Sequence, residues 1–201
     1  IGSVKPRRGL TRHGALPGDD LYVSGEIGGA AAGLIALRAS AGGTSASMTV
    51  DEKNRERHLR PTPRARLGSQ LGRNRAARAC IDLSDGLADG VRKLAGASSV
   101  GAVIDAEQLP IASEVTRFFE ALGVDPLEAA ITGGEDYELL FTAPPAFARR
   151  VAAAHRHTGG VAVTRIGQIT KGSALILRRG KQEEELPEGY EHFRGENNTS
   201  K

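Results

Sequence analysis

The sequence predicts an α+β fold of α/β layers, a mixed sheet covered on one side by helices. Three observations carry that expectation. Strand-like and helix-like stretches alternate through most of the chain, two strand-like stretches follow each other late, and no internal repeat interrupts the order. Aromatic residues make up only 4% of the 201 residues and there is no Trp, so the core must be built from Ala, Val, Leu and Ile.

Taken in order, residues 1–20 are polar and loop-like, with Pro6 and Pro17. The opening Ile1-Gly2, with no Met before it, is read as the boundary of a fragment. Leu21-Tyr-Val-Ser-Gly25 is a short strand, and the Gly25-Glu-Ile-Gly-Gly29 turn leads into an Ala-rich helix to about residue 41. Such a turn either offers free backbone N–H groups to a phosphate or only lets the helix pack closely on the sheet. Residues 42–50 are small and polar, a loop expected to be mobile. Arg60-Pro-Thr-Pro-Arg64 is extended, because each proline restricts the residue before it. About two helical turns follow, to Leu71, and an apolar strand end then runs over 76–81.

A helical pattern restarts through Leu87, Val91 and Leu94, with Ser84 expected as its N-cap. Residues 100–105 alternate as a strand, and 113–122 form an amphipathic helix with Val115, Phe118, Phe119 and Leu122 inward. Asp125-Pro126 opens another short helix, Asp125 as N-cap and Pro126 at the first helical position. A strand is expected over 137–141, then a helix from Pro144 to about His157, with His155 and His157 on the surface. The stretches 161–169 and 174–177 read as two strands joined by a hairpin-type turn at Lys171-Gly172. Glu183, Glu184 and Glu185 read as a solvated loop, and the tail from Arg194 as disordered.

Composition narrows the function classes. Hydrophobic residues at 39% and charged residues at 25% fit a globular protein with a real core. No apolar run approaches the roughly 20 residues of a membrane span, and the N-terminus has no signal-peptide pattern. The single cysteine, Cys80, excludes an internal disulfide, which makes a cytoplasmic setting the expectation. Cys80 itself lies in an apolar strand, where a small buried hydrophobe is expected rather than a nucleophile. The net charge of +3 is uneven: eight arginines stand between Arg55 and Arg78 against one acid, Glu56. That block suits a multiply charged anion, or a nucleic acid. No aromatic residue is interleaved with those arginines to stack bases, which argues against the second.

Two acidic turns carry the chemistry. Asp82-Leu-Ser-Asp-Gly places Asp82, Ser84 and Asp85 at a strand-to-helix junction. Two carboxylates and a hydroxyl there either cap and turn the chain or form a hard-oxygen cluster suited to Mg²⁺ and a polyphosphate. Thr132-Gly-Gly-Glu-Asp-Tyr-Glu projects Glu135 and Asp136 from a turn that small residues keep open. No Ser-His-Asp set or cysteine nucleophile accompanies them.

These stretches, in the same order as Leu10-Thr-Arg-His-Gly, Tyr22-Val-Ser-Gly25, Leu59-Arg-Pro-Thr-Pro-Arg64 and Gly189-Tyr-Glu-His-Phe193, resemble the thiamine-monophosphate kinase family of the aminoimidazole ribonucleotide synthetase-like superfamily. The resemblance implies the C-terminal domain fold of that superfamily over 19–193, with 1–18 as the remnant of an N-terminal domain and 194–201 as a tail. It implies ATP and thiamine phosphate as substrates, Mg²⁺ as cofactor, and direct in-line phosphoryl transfer, chemistry that needs positioning and charge neutralisation rather than a protein nucleophile. By motif, Asp82 and Asp85 would hold Mg²⁺, Arg12 and Ser84 would meet ATP, and Glu135, Asp136 and Tyr190 would line the thiamine side. Two departures stand out. The family carries an acid after the glycine turn where this chain has Gly28-Gly29-Ala30, and its N-terminal Gly-Asp-Asp metal motif has no counterpart ahead of Arg12. The expectation is half an acidic cluster, little turnover by this chain alone, and a homodimer formed through the N-terminal domain. A related synthetase or kinase with another phosphorylated substrate is the alternative.

Overall fold

The structure is a computed structural model and describes residues 9–41, 52–156 and 158–189. Its elements in chain order are β1 (Asp20–Ser24), α1 (Gly29–Ala41), α2 (Glu52–Leu59), α3 (Ala65–Arg73), β2 (Ala79–Asp82) and α4 (Leu87–Ser98). Then come β3 (Gly101–Asp105), α5 (Ser113–Ala121), α6 (Pro126–Thr132), β4 (Leu139–Ala143), α7 (Ala148–His155), β5 (Val163–Thr170), β6 (Leu175–Arg179) and β7 (Gln182–Glu185). The seven strands form one mixed sheet in the order β2-β4-β1-β5-β3-β6-β7. Every pairing is antiparallel except β3 with β6.

Alternation along the strands sorts their side chains between two faces. Leu21, Val23 and Leu140 join α4 and α6 in the larger core, which continues under Ile166, Ala102, Ile104 and Leu177. Tyr22, Cys80 and Phe141 point the other way and pack on Leu67 and Leu71 of α3 and Val151 and Ala154 of α7. The rings of Tyr22 and Phe141 stack there at 5.3 Å between centroids. The expected one-sided cover is thus corrected: helices cover both faces where β2, β4 and β1 lie. Towards β7 the second face instead carries ion pairs, Arg165 on Asp20 at 2.7 Å and Arg178 on Asp105 at 3.3 Å. A third cluster joins Ala32 and Ala36 of α1 to Val115, Phe118 and Phe119 of α5.

Several local expectations are met. Asp125 caps α6, its carboxylate accepting from the Leu127 amide at 2.8 Å, with Pro126 at the first helical position. Others are corrected. β5 and β6 do not form a hairpin, because β3 lies between them and pairs with both. The acidic run is edge strand β7, where Glu183 and Glu184 meet Arg178 and Arg179 of β6. The strand expected from Tyr137 begins at Leu139, because Tyr137 takes a left-handed φ of 50°. Pro144 leads first into a 3₁₀ turn, Pro145–Phe147, and only then into α7, whose His155 is half-buried. Ser84 does not cap α4: the cap position is Gly86, at φ 100°.

The helix α2 had no sequence signal, being polar almost throughout. It forms because it docks on α1, where Gly33 lets the Asn54 backbone approach so closely that any side chain would collide with it. Among the described residues no helix is long and apolar enough to cross a membrane. The loop expected at 42–50, most of the 1–18 segment's opening, His157, Tyr190 and the 194–201 tail fall wholly or largely outside the described residues.

Candidate active site

The two acidic turns are docked backbone to backbone. The Glu135 amide donates to the Ser84 carbonyl at 2.8 Å, the Tyr137 amide to the Leu83 carbonyl at 3.0 Å, and the Leu83 amide to the Glu138 carbonyl at 2.8 Å. Glycine is required for this approach: a Cβ on Gly86 would stand 2.6 Å from the Gly133 carbonyl oxygen, and Gly86 is also left-handed. The docking places Asp82, Ser84, Asp85 and Glu135 at one end of the sheet, where β2 ends and β4 begins.

Each candidate has a distinct environment. The Asp82 side chain is exposed and makes no hydrogen bond or ion pair with the described residues. Asp85 accepts from Lys93 at 2.7 Å, a lysine that also bridges Asp89, and the bonds to these two carboxylates raise the ammonium pKa. The Ser84 hydroxyl lies 3.4 Å from the Asp85 carboxylate. Glu135, at φ 71°, has a carboxylate oxygen 3.0 Å from His58 Nδ1. Arg12 is exposed on a segment that runs along β2, the Thr11 carbonyl accepting from the Cys80 amide at 2.8 Å.

Asp136 differs from its neighbour. It is 7% exposed, and its carboxylate accepts from the amides of Gly28 at 2.7 Å and Ala30 at 3.1 Å. It therefore caps α1 from across the fold. Burial pushes its pKa up to about 6, against the opposing pull of the two amides. The glycine turn 25–29 thus spends its Gly28 N–H on a carboxylate of the same chain.

Sequence reasoning missed Glu138, the third acid of the same turn. It is fully buried and accepts from Arg64 Nε at 2.6 Å, Arg64 Nη2 at 2.5 Å and the Ser24 hydroxyl at 2.5 Å, with Arg57 Nη2 3.6 Å away. This clamp draws the 60–64 strap across the end of the sheet. The signal was present as the Pro-x-Pro-Arg rigidity, without any hint of the acid it would meet. It also divides the arginine block: Arg57 and Arg64 serve Glu138, Arg57 also meets Glu26, and Arg78 lies 3.7 Å from Asp19.

Two clefts flank the strap. One, about 490 Å³, is lined by Arg57, Arg60, Arg64, Glu138 and the 159–162 loop. The other, about 410 Å³, lies between Pro61, Pro63, Ala65, Gly68, Tyr137 and Leu139, with Asp82 in its wall. Among the described residues no three His, Cys, Asp or Glu side chains converge to enclose a metal ion. Cys80, within β2 and packed on the cluster of α3 and α7, is a poor nucleophile, because burial pushes its thiol up to about 12.

The family model for AIR synthase related protein, C-terminal domain, matches residues 17–179. The thiamine-monophosphate kinase of Escherichia coli (strain K12) is 38% identical over 198 residues, 96% of this chain and 58% of the relative. The crystal structure of thiamine-monophosphate kinase from Stenotrophomonas maltophilia K279a superposes with a TM-score of 0.73 at 35% identity, covering 87% of this chain and 54% of that one. A structure described as AaThiL complexed with AMPPCP and TMP gives 0.72 at 32% identity, covering 92% and 54%. The chain spans about half the length of the curated relatives it matches.

Proposed function

The chain belongs to the family of AIR synthase related proteins, as their C-terminal domain, and from that premise we propose that it is the C-terminal part of a thiamine-phosphate kinase. The reaction is ATP plus thiamine phosphate giving thiamine diphosphate and ADP. The observation that carries the reading is the backbone docking of the two acidic turns, which gathers Asp82, Asp85, Ser84 and Glu135 at one end of the sheet. The kinase relatives and the neighbour complexed with AMPPCP and TMP support it.

Asp82 and Asp85 would hold Mg²⁺. Their donor set fits: two hard carboxylates, one free of protein partners among the described residues, suit an ion that takes one or two carboxylates and completes its shell with water and phosphate oxygens. When bound, the ion would supply charge neutralisation of the polyphosphate. Lys93 holds Asp85 in place. Arg12 and the Ser84 hydroxyl meet phosphate oxygens, and Glu135 faces the amino or cationic part of thiamine. Asp136 holds the turn that aims Glu135, which replaces the substrate contact the resemblance assigned to it. Tyr190, assigned by resemblance to stack on a thiamine ring, lies outside the described residues. The remaining acidic ligands, much of the ATP site and a homodimer interface belong to the N-terminal domain, in a cytoplasmic enzyme whose 19–193 region is the synthetase-like domain.

The test is formation of thiamine diphosphate from thiamine phosphate and Mg-ATP by this chain, alone and combined with the part of the E. coli relative that it does not cover. Little product is expected alone, and product that vanishes with Asp82→Asn is expected from the combination. A combined, folded enzyme that turns over another phosphorylated metabolite but not thiamine phosphate would reassign the substrate.

A further inference from the structure

We propose that the cleft lined by Arg75, Arg78 and Arg150 is a second anion site, separate from the acidic turns, that takes a phosphorylated small molecule by its phosphate. The proposal does not depend on the kinase reading. The cleft measures about 350 Å³, and Gly72, Ala77 and Phe147 line it with the three arginines. It belongs to the other end of the sheet: Arg78 immediately precedes β2 and Asp82 closes that strand, about 13 Å further on. The Arg78 amide donates to the Thr142 carbonyl at 2.8 Å, which ties this end of β2 to β4. Arg150 lies over the Phe147 ring, 4.1 Å from its centre, and its Nη1 stands 3.5 Å from the Arg75 carbonyl oxygen. Among the described residues the guanidiniums of Arg75 and Arg150 have no carboxylate partner, and that of Arg78 has only Asp19, at 3.7 Å.

Sequence and backbone each add a reason. No acid occurs in 1–18, 57–81 or 139–182, the stretches that supply every residue lining the cleft, so the lining brings no negative side chain of its own. Arg75 also occupies a glycine position. The helix α3 closes with two bonds, the Arg75 amide to the Gly72 carbonyl at 3.2 Å and the Ala76 amide to the Leu71 carbonyl at 2.9 Å. That closure calls for a left-handed residue, usually glycine, and Arg75 adopts it at φ 48°. Its exposed side chain makes no hydrogen bond or ion pair among the described residues, so nothing in the fold offsets the strain, and strain of this kind gathers at binding sites. The partial negative charge at the end of α3, about half an electron, is too small to neutralise three cations. A guanidinium fork matches phosphate oxygens in pairs, so three of them at one cleft suit a phosphate dianion. Nucleic acid is disfavoured, because this face offers no open ring to a base: Arg150 covers Phe147, and Tyr22 and Phe141 stack on each other beneath α3 and α7.

The experiment titrates the purified chain with pyrophosphate, the monoester ribose 5-phosphate and the dicarboxylate succinate, followed by amide-resolved NMR. EDTA is present throughout, so that no metal ion recruits the anions to Asp82 and Asp85. Both phosphates are expected to shift the amides of Arg75, Ala77 and Arg78 and to leave those of Ser84, Asp85 and Glu135 in place. Pyrophosphate should bind about tenfold more tightly than succinate. Arg75→Gly, which keeps the left-handed turn, and Arg150→Gln each weaken pyrophosphate by about five- to tenfold. Arg149→Gln removes the same charge from the neighbouring residue of α7, outside the cleft, and changes binding by less than about twofold. No pyrophosphate binding in the millimolar range, shifts centred on the acidic turns, succinate binding as tight as pyrophosphate, or equal losses from Arg149→Gln and Arg150→Gln overturns the proposal. So does an oligoribonucleotide that binds more tightly than pyrophosphate and responds equally to those two variants, which would make the whole basic layer the interface.

Discussion

Two arginine–glutamate networks in this molecule use the same groups to opposite effect. At the start of β4, Glu138 is fully buried and takes Arg64 in two bonds, with Arg57 and Ser24 beside it. At the far edge of the sheet, Arg178 and Arg179 meet Glu183 and Glu184 at 3.0 and 2.7 Å, with side chains 37–54% exposed. The distances barely differ, and the surroundings decide. Water screens the edge pairs, which contribute little. Glu138 has no water to return to, so removing one partner leaves charge stranded in the interior. The first network can therefore fix the strap and the acidic turn, while the second only charges an edge strand against unwanted pairing.

The sharpest way to break the comparison is Glu138→Ala. Denaturant unfolding is expected to show a loss of about 3–5 kcal/mol, as for other broken buried pairs, and a value near that of an edge variant would end the argument. Next comes pH. Asp136 binds its proton more tightly folded than unfolded, its pKa rising from 3.8 to about 6. Its contribution is thus complete below pH 3.8 and is lost as pH rises through about 6. Relative to Asp136→Asn, the native chain should lose up to about 3 kcal/mol across that window and change little above pH 7. A flat difference would mean that the two amides hold the carboxylate ionised throughout.

Gly25→Ala probes the same clamp from the other side. Gly25 is left-handed at φ 59° and a Cβ there would strike the Glu138 carboxylate. A loss of roughly 2–3 kcal/mol is expected from strain and overpacking, and a neutral result would show that Glu138 can move. The smallest effect belongs to Glu184→Gln, under about 1 kcal/mol and smaller still in high salt. Thermal melts at low and high ionic strength would expose any hidden structural weight in β7.

Local chemistry was legible where a few adjacent residues settle the matter. Asp125-Pro126 announced its own cap and first helical position, and Asp82-Leu-Ser-Asp-Gly announced a strand-to-helix junction with carboxylates displayed. The family resemblance likewise lay in short stretches that survive without their partners. Ser84 was misread because a good capping residue stood two positions before the true cap, and only the close approach of Gly133 explains why glycine occupies that place. The late strands were misread as a hairpin because their connection is short, although β3, some seventy residues earlier, inserts between them.

The order of residues is enough to read the periodic helices and strands, the Ala- and Leu-rich core, the two acidic turns and the family to which they point. The folded contacts are needed to see that these turns are docked on each other, that Asp136 caps α1 while Glu135 stays accessible, and that Glu138 is the sealed partner of Arg64. Periodicity and capping act between residues a few positions apart and can be read along a chain. Burial, pairing and pKa arise from contacts such as Ser24 with Glu138 and Gly28 with Asp136, more than a hundred residues apart, and exist only once the sheet has brought them together.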